Sequence, residues 1–340
     1  HPHKILKAGL TPDSRTQALH SADRRHWRFA MDAEHDQLWS ADTWELVPRT
    51  SARNVITGKW ILKIKRDKEG KIDRYKARWV ARGFSQRHGV DFNEVFAPVV
   101  RYSSLRKLLS IANRKNMEAY GLDVSNAFAR AEVDEDLYVE QPHGYEQTGP
   151  NGEPLVCKLK KGLYGTKQAA RLWHHTFRKH LLDDGWVPYE CDPCIFSRNT
   201  SKYGLEFLGI YVDDCVHLCK SLTAHKSLEK YMNLKFPTTS QEPLNWILNC
   251  RVTRDRTNKT LWLDQHQSIK DFLSKWDIAT PSRAPTAPMR DSWQYGTDPP
   301  IDPVENKHKM TEYRSKVSSL SYFVQVTRPD LAFSVNSLAR

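Results

Sequence analysis

Two apolar runs meeting at a pair of carboxylates constrain this chain more than any other segment. Leu205-Glu206-Phe207-Leu208-Gly209-Ile210 leads into Tyr211-Val212-Asp213-Asp214, and Cys215-Val216-His217-Leu218-Cys219 leads away. Such runs on either side of a short polar stop predict strand, tight turn, strand: a hairpin over 205–219 with the acids at its tip. Two carboxylates held at a hairpin tip repel each other. They gain from the position if they hold a divalent cation, because Mg²⁺ takes oxygen ligands and often uses one or two carboxylates with substrate phosphates. On these letters alone an ordinary acidic β-turn stays open, since Asp is common in turns.

A third carboxylate strengthens the metal reading. Asp123 ends an expected strand, Tyr120-Gly121-Leu122-Asp123-Val124, ninety residues before Asp213. Brought beside the hairpin, it makes a three-carboxylate cluster able to hold two metals, an arrangement that clamps the attacking and leaving oxygens of a phosphoryl displacement.

The rest of the chain supplies a scaffold and a charge. Trp27, Ala30, Met31, Glu34 and Leu38 have helical spacing. Lys59 to Lys65 alternates, 67–71 turns, and Tyr75 to Arg82 returns, which predicts a cationic β-ribbon. Its charges are either a solvated face or a grip on phosphate. Leu105, Leu108, Leu109 and Ala112 mark one helix, Ala169, Trp173, Phe177 and Leu181 another. Ile269 to Trp276 and Tyr313 to Val324 mark two more, separated by the Pro-rich stretch 277–310. Residues 1–25 are polar and expected to be poorly ordered. This order predicts an α+β fold with an antiparallel sheet backed by helices on one side.

Lys and Arg exceed Asp and Glu by 52 − 40 = 12, which favours a polyanionic partner, most often nucleic acid. No apolar run reaches the roughly 18 residues of a membrane span, and no membrane partner is expected. The start is not a signal peptide and lacks Met, so a processed or trimmed product is expected. Cys191 and Cys194 have ligand spacing, but no second pair completes a zinc site. All six Cys are expected to be reduced thiols of an intracellular protein.

Ordered blocks along nearly the whole chain carry a resemblance. They are Thr43-Trp44-Glu45-Leu46-Val47, Lys76-Ala77-Arg78-Trp79-Val80-Ala81-Arg82-Gly83-Phe84, Phe92-Asn93-Glu94-Val95-Phe96-Ala97-Pro98-Val99 and Leu122 to Phe128. Tyr138-Val139-Glu140-Gln141-Pro142, Leu159 to Ala169, Tyr211 to Asp214 and Thr327 to Phe333 follow. Together they resemble the reverse transcriptase of copia-type LTR retrotransposon Pol polyproteins.

The resemblance implies a right-hand polymerase with fingers over 26–118, palm and part of the fingers over 119–255, and thumb or connection over 264–340. It implies RNA-directed DNA polymerase activity with two divalent ions, Mg²⁺ or Mn²⁺. Asp123, Asp213 and Asp214 would be the catalytic carboxylates. Asp123 and Asp213 would be the stronger metal ligands, the Val124 carbonyl would face a metal, and Asp214 would be less direct. Phe128 matches the steric gate that selects deoxynucleotides. Tyr164, Gly165, Lys167 and Gln168 match the loop under the nascent base pair. Lys76 and Arg78 would contact the dNTP triphosphate, Lys63 and Lys65 template or phosphate. Leu248, Asn249 and Cys250 fall in the primer-gripping hairpin, 244–263, Tyr211 lies beside the primer end, and Lys270 and Lys275 lie on the thumb helix. The implied partners are an RNA template, a DNA primer, dNTPs and a homodimer mate. The implied locations are cytoplasm, virus-like particle and nucleus. An RNase H domain is expected to be absent.

The chain departs from the family pattern at Thr166 and Ala170, where Leu and Pro are usual, and at Ala129-Arg130-Ala131. It also departs at Asn249 and Arg251, where Gly and an acid are usual. Those changes keep two rival readings in view: a nucleic-acid-binding module without catalysis, and a structural subunit of a polymerase dimer.

Overall fold

The computed structural model describes residues 6–52, 54–66, 71–279 and 306–339. A six-stranded sheet lies at its centre, in the order Thr238–Gln241, Glu118–Val124, Asp214–Cys219, Gly204–Tyr211, Asp192–Thr200 and Val187–Tyr189. Neighbouring strands are antiparallel throughout. The expected hairpin is its middle. It pairs from Phe207↔Leu218 to Tyr211↔Asp214 and leaves Val212 and Asp213 as a two-residue turn.

Helices cover this sheet on both faces, not on one. The helix Tyr102–Arg114 buries Leu105, Leu108, Leu109 and Ala112. Leu108 lies against the face that carries Gly209. The helix Leu222–Asn233 lies on the opposite face, where His225 stacks on Tyr120 and His217. The reason is visible in Gly204–Tyr211, whose residues Glu206 to Ile210 are all buried. A strand covered on both faces reads as a continuous apolar run rather than an alternating one. The helix Ala169–Asp183 adds Trp173, Phe177 and Leu181 to the same core. Burying a large apolar side chain contributes roughly 1.5–3 kcal/mol.

One buried polar chain crosses the His217 face. Ser240 Oγ lies 2.6 Å from His225 Nε2, and His225 Nδ1 lies 3.1 Å from His217 Nδ1. His217 Nε2 is 3.1 Å from Glu206 Oε2, and Arg198 donates to the other carboxylate oxygen of Glu206. Each group finds a partner, which is the condition for burying polar atoms without a large penalty.

The cationic ribbon forms as expected, with Gly58–Arg66 pairing with Ile72–Ala81. Most of its turn, 67–70, lies outside the described residues. Alternation sorts its two faces. Trp60, Leu62, Ile64, Ala77 and Trp79 enter a second core, while Lys63, Lys65, Arg74, Lys76 and Arg78 share the other face. The helix Arg24–Ser40 covers the free edge of Ile72–Ala81. There Glu34 Oε1 accepts from the Trp79 amide at 3.3 Å, replacing a missing strand partner. A four-stranded sheet, Trp44–Pro48, Leu155–Leu159, Tyr138–Val139 and Val55–Ile56, completes this part.

The expectation of a poorly ordered 1–25 fails over the described part. Residues Arg15–Leu19 are helical, Ser14 caps them, and Ala18 is fully buried in the second core. The Ala22 amide also donates to the Leu6 carbonyl. A small apolar residue on a short capped turn is enough to dock the segment.

Beyond the central sheet, Trp246–Ile247, Cys250–Asp255 and Thr260–Asp264 form a three-stranded sheet. The helices His266–Lys275 and Lys307–Val326 follow, joined through Phe272 and Phe323 with ring centroids 5.7 Å apart. Pro281, Pro285, Pro288, Pro299, Pro300 and Pro303 of the expected linker lie outside the described residues.

Candidate active site

The turn at the hairpin tip is held from both sides. Val212 has φ +58, a left-handed conformation that a β-branched residue adopts at a cost of about 1–3 kcal/mol. Two contacts fix it. The Trp173 indole donates to the Val212 carbonyl at 2.7 Å, and the Val124 amide donates to the Asp213 carbonyl at 3.0 Å. The second contact ties the turn to the strand that carries Asp123. In the register Asp214 pairs with Asp123, and antiparallel partners project to one face.

The three carboxylates feel one another. Burial first, and the charge of Asp213 second, raise the Asp123 carboxyl above its usual range. Burial, then Asp213, then Asp123, push Asp214 up to about 6. Among the described residues no group of three His, Cys, Asp or Glu side chains is drawn tightly enough to form a metal cage by itself. The donor set is nonetheless all carboxylate oxygen, and a divalent cation relieves the repulsion that lifts both groups.

Opposite charge faces this cluster. Lys76, Arg78 and Arg74 each pull the Asp123 carboxyl back down. Lys76 is itself depressed, first by burial and then by Arg78, Arg74 and Lys65. Lys65 is lowered by burial and then by Lys63, Arg74 and Arg78. Crowded cations of this kind gain from a bound polyanion. The ribbon thus brings all four sequence-selected cations, Lys63, Lys65, Lys76 and Arg78, to one face, and Lys65, Lys76 and Arg78 interact electrostatically with Asp123.

The loop 162–168 docks the ribbon onto the central sheet. The Ala81 amide donates to the Tyr164 carbonyl at 2.8 Å. Gly165 has φ +89, and a Cβ there would stand 2.1 Å from the Ala81 carbonyl oxygen. Glycine is required at this position by both measures. Arg78 Cζ lies 4.3 Å from the Tyr164 ring centroid, and the Tyr164 and Phe128 rings meet edge to face at 4.8 Å. Phe128 itself sits on the turn Ala127–Arg130, directly after the Asp123 strand.

Gln168 and Cys250, two of the residues selected from the sequence, are buried. Gln168 is fully buried; it donates to the Asp91 carbonyl at 2.8 Å and accepts from Gln86 at 3.0 Å. Its amide is engaged in holding the loop. Cys250 is 2 % exposed, on the strand that follows the turn. Lys167 is exposed, with its ammonium 4.4 Å from the Phe92 ring centroid.

Leu248 and Asn249 form the turn between Ile247 and Cys250, both with positive φ. Asn tolerates that conformation, which accounts for its standing where the family pattern has Gly. The Leu248 carbonyl accepts from the Tyr322 hydroxyl at 2.8 Å. Tyr211 closes the hairpin turn through its pairing with Asp214 and packs half-buried against the core. Lys270 is exposed on the helix His266–Lys275, whereas Lys275 folds over the Trp276 ring at 4.6 Å.

A family model described as "Reverse transcriptase (RNA-dependent DNA polymerase)" matches residues 41–290. The chain belongs to the reverse transcriptase family. It is 33% identical to the Retrovirus-related Pol polyprotein from transposon TNT 1-94 of Nicotiana tabacum, over 99% of this chain and 25% of that one. It is 34% identical to the Pol polyprotein from transposon RE1 of Arabidopsis thaliana, over 100% of this chain and 23% of that one. The copia-type assignment made from the sequence blocks agrees with these relatives. The reverse transcriptase chain therefore spans about a quarter of the length of the curated relatives it matches. Among solved structures, the foamy viral protease-reverse transcriptase in complex with double-stranded DNA is similar at 13% identity and a TM-score of 0.42. That match covers 87% of this chain and 40% of the other. No described helix is long and apolar enough to cross a membrane.

Sequence reasoning missed several residues that build this reverse transcriptase site. Trp173 was legible only as a helix core residue; its indole N–H, a donor that needs a partner when buried, was the available signal. Arg74 joins the cationic face by alternation with Lys76 and Arg78. Glu34 looked like one step of a helical stripe, yet it is 6% exposed and its carboxyl is raised to about 7, chiefly by burial.

Proposed function

We propose that the chain extends a primer on an RNA or DNA template with dNTPs. The observation that carries this reading is the placement of Asp123, Asp213 and Asp214 under a cationic ribbon whose Lys76, Arg78 and Arg74 act electrostatically on Asp123. In this reading the ribbon and the four-stranded sheet are fingers, the six-stranded sheet is palm, and the three-stranded sheet with the following helices carries the primer grip and thumb.

Asp123 and Asp213 hold the metal ions, Asp214 stands behind them opposite Asp123, and the Val124 carbonyl is the further oxygen on that strand. Two divalent ions, when bound, lower the pKa of the primer 3′-hydroxyl and neutralise the triphosphate. Lys76 and Arg78 draw the triphosphate to the tip. Lys63 and Lys65 hold template backbone, where charge contributes affinity without sequence preference. Phe128 lies against the sugar and excludes a 2′-hydroxyl. The reaction is in-line attack of the 3′-oxygen on the α-phosphorus, with loss of pyrophosphate. The loop 162–168 and the Leu248–Asn249 turn position the nascent pair and the primer end.

Primer extension on an RNA template by the wild type and by Asp213→Ala tests the proposal. The wild type lengthens the primer in Mg²⁺ and the variant does not; equal synthesis by the two, or none by either, removes the enzyme reading.

A further inference from the structure

Three segments meet at the Tyr164 ring. Arg78 comes from the strand Ile72–Ala81, Tyr164 from the loop 162–168, and Phe128 from the turn Ala127–Arg130. The guanidinium caps one face of the Tyr164 ring at 4.3 Å, and the same ring meets Phe128 edge to face at 4.8 Å and 61°. Tyr164 is fixed between them, because its carbonyl accepts from Ala81 and its neighbour Gly165 presses against that same residue. Arg78 Nε is buried and has no hydrogen-bond partner. The guanidinium is therefore engaged on the ring while its Nε donor stays free for an anion, and an unpaired buried donor gains from acquiring one.

We propose that Tyr164 is a specificity-determining positioning residue, which links the cation that meets the triphosphate to the ring that meets the sugar. This inference rests on Phe128 being the sugar gate. A Phe on a short turn can rotate about two bonds. The Tyr164 edge contact selects one ring orientation, and Arg78 holds Tyr164 flat. A triphosphate that draws Arg78 into place thereby sets the ring that inspects position 2′. Sugar choice then depends on a cation that does not touch the sugar.

The test is single-nucleotide incorporation of dCTP and CTP opposite a template G, with kcat and KM measured separately for each. Phe128→Ala abolishes most discrimination. Tyr164→Leu, which removes the ring, lowers the dCTP/CTP ratio of kcat/KM by about tenfold, the size expected when one aromatic pair stops discriminating. Tyr164→Phe keeps the ring and restores the ratio to within about twofold of wild type. Arg78→Lys keeps the charge but loses the planar stack, and it also lowers the ratio; it serves as the deciding variant if Tyr164→Leu does not fold. A ratio equal to wild type in Tyr164→Leu, or in Arg78→Lys where Leu cannot be used, overturns the coupling if Phe128→Ala still relaxes discrimination. A wild-type ratio in Phe128→Ala overturns the gate itself and the coupling with it.

Discussion

Asp214 stands directly opposite Asp123 across adjacent antiparallel strands. Both carboxyls are raised, first by burial and then by the charge of Asp213, and Asp214 reaches about 6. A raised acid favours its neutral form in the folded state, so Asp214 costs stability as pH climbs from 3.8 to about 6 and the cost is constant above that, with Asp123 acting in the same direction. Asp214→Asn should therefore melt higher than wild type in EDTA at pH 7.5. The gap should close near pH 4, and added Mg²⁺ should raise wild type more than the variant. Thermal melts at the two pH values check this; equal melting in EDTA at pH 7.5 contradicts it.

The turn below those acids is held by Trp173. Trp173→Phe keeps most of the ring volume but leaves the Val212 carbonyl without its donor. The expected loss is about 1–3 kcal/mol, the cost of an unpaired buried polar group. Urea titration measures it, and a change below about 0.5 kcal/mol would show that the indole hydrogen bond does not hold the turn.

Gly165 and Gly152 separate space from conformation. Both have positive φ, +89 and +79, but only at Gly165 would a Cβ meet backbone, 2.1 Å from the Ala81 carbonyl. Gly152→Ala should cost about 1 kcal/mol, and Gly165→Ala at least about twice that, with loss of ribbon docking. Equal costs in denaturant titration would remove the close approach as the reason for glycine.

The buried histidines predict a second pH effect of opposite sign. Burial, and then His217, lower His225 to about 4 from 6.5, and burial lowers His217 as well. A histidine that stays neutral when folded leaves stability intact above 6.5 and loses it as pH falls towards 4. His225→Gln should flatten the acid side of the stability curve between those values. The measurement is ΔG from urea curves at pH 7, 5.5 and 4.5; an unchanged slope would locate the acid sensitivity elsewhere.

Local pattern made much of this legible. The 205–219 hairpin, the cationic ribbon and the helix from Arg24 follow from runs and periods that a few neighbouring residues set. What local pattern does not carry depends on distant partners. Gln168 is selected by its match to the family's loop under the nascent base pair, whereas its burial is decided by Asp91 and Gln86, about 80 residues away. Ala18 looked like part of a polar tail, and only the second core gives it a place. The pairing of Trp44–Pro48 with Leu155–Leu159 has no signal in either strand alone. The helices on the second face of the sheet are signalled by the nearly unbroken apolar run Leu205 to Ile210, whose Glu206 to Ile210 are all buried.

In the proposed reaction Asp123 serves the chemistry and not only the fold. Single-turnover addition of one dNTP to a preformed complex with an RNA–DNA primer-template, for wild type and Asp123→Asn, tests it most directly, with hybrid affinity measured in parallel. The account predicts similar hybrid binding and incorporation slowed by at least about a thousandfold, roughly 4 kcal/mol of transition-state stabilisation. Incorporation at the wild-type rate by a bound Asp123→Asn complex would contradict it.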